Sequence, residues 1–89
     1  MPQVHIPSTY RVPTKGESRI EVEASTVRAC IEAVEALYPG FQELILNTKG
    51  DPHHFSKLFL NGELLDRGAL DTPVSGDDIV AILAPAAGG

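Results

Sequence analysis

The sequence has a single cysteine, no tryptophan and few aromatic side chains, three phenylalanines and two tyrosines. With Cys30 alone, an internal disulfide is excluded, which agrees with a reducing compartment. Long apolar runs are also missing. The largest groups, Ile79 to Ala84 and Leu58 to Leu60, fall far short of the roughly 20 residues a membrane-crossing helix needs. The opening Met1-Pro2-Gln3-Val4 carries no basic segment followed by an apolar stretch, so a secretory signal is not expected and residence in the cytoplasm is. Cations are scarce, 7 Lys and Arg against 12 Asp and Glu for a net charge of -5, a field that repels phosphate backbones and argues against a nucleic-acid partner. A partner steered by charge is expected to present Lys or Arg to Glu63, Asp66, Asp71, Asp77 and Asp78, unless those groups serve solubility alone. No Ser or Cys sits in a nucleophile motif, and there is no Gly-rich phosphate loop. His53 and His54 are adjacent and so point apart in a strand; with only His5 besides, they make a poor metal site and belong on a surface loop.

What is present fits one compact unit: 89 residues, 43% hydrophobic, leave no room for a second core. Val4 and Ile6 alternate with Gln3 and His5, a half-buried strand that Pro7 ends. After a turn region holding Pro13, Lys15 and Gly16, Ile20 and Val22 alternate with Arg19, Glu21 and Glu23 as the hairpin partner of the first strand. Ser25 or Thr26 can cap a helix in which Val27, Cys30, Ile31, Val34 and Leu37 share one face, before Pro39-Gly40 stops it. Such an amphipathic helix needs a sheet to cover it. This stripe assigns Cys30 to core packing rather than to sulfur chemistry. Phe41 to Leu46 reads as a short helical turn and Asn47 to Pro52 as an exposed loop. Lys57 to Asn61 is a strand, Asn61-Gly62 a tight turn, Glu63-Leu64-Leu65 a short return strand, and Ile79 to Ala84, after the turn-like Ser75-Gly76-Asp77-Asp78, a well-buried last strand. The order strand, strand, helix, strand, short strand, strand is an α+β sheet with one helix packed across it.

If Leu58 and Leu60 face the helix, the strand period sends Phe59 to the opposite face; with Val80 and Ile82 inward, Ala81 and Leu83 join it there. Phe59, Ala81 and Leu83 then form an exposed apolar patch, a candidate partner-binding surface. A register one residue off would instead bury Phe59 in the core.

The last strand runs into Ala84-Pro85-Ala86-Ala87-Gly88-Gly89, where no side chain is larger than proline. The expected division is a domain over 1–84 and an extended, thin tail over 85–89. The segment from Val74 to Gly89 resembles the C-terminal signature of the small ubiquitin-like sulfur-carrier proteins, the family of the molybdopterin synthase small subunit, the thiamine-pathway carrier and the cysteine-synthesis carrier. Their turn, apolar strand, proline and terminal Gly-Gly are all present, with Gly76-Asp77-Asp78 in place of the family's Asp-Gly-Asp. The strand order matches the β-grasp fold of that family, so the likeness covers the whole chain.

The resemblance implies a cosubstrate and not an enzyme, without a bound cofactor of its own. An E1-like adenylating partner would use ATP and magnesium to activate the Gly89 carboxylate, otherwise an anion with a pKa of about 3.5 and a poor electrophile. A sulfide or persulfide would convert the acyl-adenylate to a thiocarboxylate, which a sulfur-accepting synthase would consume. Gly88 and Gly89 lack a Cβ, so they and the small Pro85, Ala86 and Ala87 suit passage through a narrow channel. Two other outcomes stay open: a ubiquitin-like modifier joined through Gly89 to lysines, and a non-covalent binding module with an idle tail.

Overall fold

The computed structural model describes residues 1–84. Its five strands, β1 (Gln3–His5), β2 (Arg19–Glu21), β3 (Lys57–Leu60), β4 (Glu63–Leu64) and β5 (Ile79–Leu83), form one mixed sheet in the order β2-β1-β5-β3-β4. The helix α1 (Val27–Leu37) crosses one face, and a single helical turn, α2 (Gln42–Ile45), follows it. This is a β-grasp. β5 lies in the middle of the sheet, parallel to β1 and antiparallel to β3. It is therefore hydrogen-bonded on both edges, as suits the most apolar strand of the chain.

The core lies between the helix and one face of the sheet. Val4, Ile20, Leu58, Val80 and Ile82 come from the strands, Val27, Cys30, Ile31 and Val34 from α1, and Phe41, Ile45, Leu46, Leu70 and Val74 from the connections. Thr26 is the N-cap of α1, its Oγ1 accepting from the Ala29 N–H at 3.0 Å. The next donors are satisfied by the late connection: Val27 N–H donates to the Thr72 carbonyl and Arg28 N–H to that of Leu70. Holding that segment against the helix places Leu70 and Val74 in the core. Leu37, expected on the apolar stripe, is exposed; the step of four from Val34 leads to Tyr38, which packs against the core instead. At the helix stop, Gly40 adopts φ +103°, and the Glu35 carboxylate accepts from the N–H groups of Gly40 and Gln42.

The strands are shorter than their sequence patterns: β1 closes at His5 and β2 at Glu21, although Ile6 and Val22 remain buried beyond them. Between β1 and β2 the chain makes a 3-10 turn over Ser8–Tyr10, and a fully buried Thr14 bridges the loop. The Thr14 hydroxyl lies 3.2 Å from the Arg11 carbonyl and 2.9 Å from that of Glu17. Among the described residues no helix is long and apolar enough to cross a membrane.

Candidate functional site

The face of the sheet turned away from α1 carries the candidate surface. The Asn61-Gly62 turn joins β3 to β4 with φ of 50° and 87°, both positive as the twist of a two-residue hairpin turn requires. This pairs Leu60 with Glu63 and therefore Phe59 with Leu64. Phe59 also pairs with Ala81, Ala81 with His5, and His5 with Arg19. Paired residues share a face, so Arg19, His5, Ala81, Phe59 and Leu64 form one row across all five strands. The alternate row, Ile20, Val4, Val80 and Leu60, faces the helix. Leu83 follows on the outer face, opposite Lys57, and Ile79 precedes on the same face beside Gln3.

Phe59 and Ala81 are half-buried and in direct cross-strand register, while Leu83 is 52% exposed. Leu64 is 59% exposed and completes the apolar row. It was not among the expected site residues, although the two-residue turn at Asn61-Gly62 fixes its position opposite Phe59. Val80 and Ile82, the inward residues of the same strand, are buried.

The end of β5 is flanked by cations. Beside Leu83, a cleft of about 410 Å³ is lined by His5, Pro7, Arg11, Ser18 and Arg19, together with the edges of Ile6 and Ile82. Arg11 is held in place by its own Nε, which donates to the Ile6 carbonyl at 3.0 Å. The His5 imidazole lies 3.1 Å from Gln3 Oε1, and burial together with the Arg19 charge pushes its pKa below the ordinary histidine value, favouring the neutral ring. On the other side of Leu83 stands the exposed Lys57.

The acidic residues lie elsewhere or are engaged. Asp71 pairs with Arg28 at 3.2 Å, and Asp66 borders a smaller cleft of about 190 Å³ with His54, Lys57 and Arg67. Asp78 is occupied within the hairpin turns: its Oδ1 accepts from the Asn61 amide at 3.0 Å and its Oδ2 from the Ser75 N–H at 3.0 Å. These two hydrogen bonds, the Asn61 one foremost, hold its carboxyl below the usual range. Asn61 Oδ1 in turn accepts from the Ile79 N–H at 2.8 Å, tying the two turns to the start of β5.

Cys30 is fully buried; burial, with the Asp78 charge second, pushes its thiol pKa up, which suppresses the thiolate. His53 and His54 lie on the loop before β3, both packed on Phe55, one stacked at 5.0 Å and one edge-on at 5.2 Å. Among the described residues no group of three or more His, Cys, Asp or Glu is placed to hold a metal ion. Pro85, Ala86, Ala87, Gly88 and Gly89, the expected tail and its reactive end, lie outside the described residues.

The chain belongs to the ThiS family, whose model it matches over residues 4–89. The family is one of small carrier proteins that are not themselves enzymes. Among solved structures, it is similar to a chain of the Amycolatopsis orientalis BexX/CysO complex at 30% identity and a TM-score of 0.91, each chain being covered over 100% of its length. It is similar also to CysO of Mycobacterium tuberculosis, at 29% identity and a TM-score of 0.87, over 97% of this chain and 100% of that one. The small archaeal modifier SAMP1 of Haloferax volcanii shares the fold at 19% identity and a TM-score of 0.77, over 99% of this chain and 98% of that one. No curated protein matches the sequence significantly.

Proposed function

We propose that this ThiS-family carrier bears sulfur on its C-terminus, as a thiocarboxylate at Gly89. The observation that carries this reading is the family match, which runs through to Gly89 and so includes Pro85 to Gly89. The position of β5 is consistent with it. That strand lies in the centre of the sheet, paired with β1 as far as Ala81 and with β3 as far as Leu83, so the C-terminal segment follows a strand fixed in the fold.

In the proposed sequence, an E1-like adenylating enzyme binds the outer sheet face through Phe59, Ala81 and Leu83 and receives Pro85 to Gly89 in its channel. The Gly89 carboxylate attacks the α-phosphate of ATP, with the enzyme's magnesium neutralising charge, and pyrophosphate leaves. Hydrosulfide then adds to the acyl carbonyl and AMP leaves, giving the thiocarboxylate; a persulfide donor additionally needs a thiol to cleave its S–S bond. A second partner, a sulfur-accepting synthase, takes the sulfur. One of the CysO chains that this protein is similar to is held in a complex with BexX, which makes a BexX-like protein the first acceptor partner to assay. The chain's own contribution is orientation and access: a fixed strand end, an apolar docking face and an end without Cβ atoms.

The test is reconstitution. The full chain is incubated with the host's E1-like enzyme, ATP, magnesium and sulfide, and its mass is measured. Conversion to the thiocarboxylate is expected for the wild type and not for a chain lacking Gly89. No conversion, or lysine conjugates in place of thiocarboxylate, would overturn the reading.

A further inference from the structure

We infer that the outer sheet face at the end of β5 docks an acidic, apolar-centred surface of the protein that receives the C-terminal segment. This rests on the carrier reading and names the chemistry of its partner. The whole chain carries net charge -5, yet cations collect here. Arg11 and Arg19 line the cleft on one side of Leu83 and Lys57 stands on the other. None of the side chains lining that cleft is a carboxylate. Glu17 and Glu21, each two residues from Arg19, are both exposed and outside the lining.

Among the described residues none of these cations is within ion-pair distance of a carboxylate, although Lys57 shares the smaller cleft with Asp66. The carboxylate–cation pair among the described residues is Arg28–Asp71, between α1 and the connection beside it. The outer-face carboxylate of the strands, Glu21, sits in the row of Gln3 and Ile79, at the opposite end of β5 from Leu83. The face is thus polarised along the strand: Glu21 lies in the row at its start, and Arg11, Arg19 and Lys57 gather towards its end. The lowered pKa of His5 comes first from burial, with the Arg19 charge adding to it. Between the cations run Leu64, Phe59, Ala81 and Leu83. Such an apolar strip with charged shoulders is the make-up of a specific protein interface: burial supplies affinity, and the shoulders set on-rate and orientation. The expectation from composition alone, a basic partner meeting the acids, is reversed at this face.

The test titrates the host's purified E1-like adenylating enzyme with the full chain at low and high salt. It compares wild type, Arg19→Glu/Lys57→Glu, and Glu32→Lys on the exposed side of α1. Arg11 is left intact because its Nε donates to the Ile6 carbonyl just beyond β1. The double reversal is expected to weaken binding roughly hundred-fold, with the wild-type affinity falling as salt rises and Glu32→Lys near wild type. Melting temperatures check that folding is unaffected, and Arg19→Gln/Lys57→Gln should give an intermediate loss. Undiminished binding by the double reversal, with the wild type still bound and adenylated, overturns the inference and leaves the carrier reading standing. A wild type that is neither bound nor adenylated overturns both. Wild-type binding to a single-stranded oligonucleotide, lost in the double reversal, would reassign the face to nucleic acid.

Discussion

Ile82 and Leu83 are neighbours in β5, and the register assigns them opposite fates. Ile82 is 5% exposed, faces α1 and pairs with Leu58; Leu83 is 52% exposed on the outer face and pairs with Lys57. Truncating Ile82 to alanine removes buried methyl and methylene groups from a strand whose neighbours on both sides hold it in place, so the void closes little. A loss of about 3 kcal/mol is expected, in the range for Ile→Ala in a packed core. For a domain of this size that corresponds to a drop in Tm of roughly 12–24 °C, at about 4–8 °C per kcal/mol. Leu83→Ala gives up contacts on one side only, and about 0.5 kcal/mol or a few degrees is expected. Thermal denaturation followed by circular dichroism reads both. Binding of the E1-like partner should show the opposite order, with Leu83→Ala the weaker binder among chains compared well below their melting temperatures. Equal Tm losses, or a larger one for Leu83→Ala, would refute the register and with it the placing of Phe59 and Ala81 on the outer face.

Thr26→Ala removes the N-cap of α1 and should cost about 1 kcal/mol, measured by urea denaturation at unchanged m-value. Asp78 is more acidic folded than unfolded, so its contribution is complete above the unfolded pKa and is lost as pH falls through the folded one; Asp78→Asn should flatten stability below about pH 4. His5 is favoured neutral in the fold, so its contribution is complete above its unfolded pKa of about 6.5 and declines on acidification; His5→Gln should remove that decline. Cys30 should resist iodoacetamide in the native protein and react rapidly in urea, because burial both covers the sulfur and disfavours the thiolate.

Period and punctuation made most of the sheet legible in the sequence. Alternation in Gln3 to Ile6 and Arg19 to Val22 marks β1 and β2, the three-and-four spacing from Val27 to Val34 marks α1, and Asn61-Gly62 marks the turn that sets the β3–β4 register. The structure places Phe59, Ala81 and Leu83 together on the face away from α1, where strand period alone left a one-residue slip open. Leu70 and Val74 were not legible as core residues, because no period runs through that connection. Their burial follows from backbone bonds to the first turn of α1, a tertiary effect. Buried Thr14 escaped because no period runs through its loop; its partners are two carbonyls of that loop. The charge of the outer sheet face was hidden most completely. Lys57 is far in sequence from Arg11 and Arg19, and the pairings of β2 with β1, β1 with β5 and β5 with β3 together gather them around Leu83.

The central claim is that Gly89 carries sulfur, and the most direct measurement is the intact mass of the protein purified from its native host, with and without iodoacetamide. The account predicts a species heavier by the exchange of one oxygen for sulfur, alkylated at the C-terminus and not at Cys30. A population that shows only the unmodified carboxylate, and stays so after incubation with the E1-like enzyme, ATP and sulfide, would contradict it.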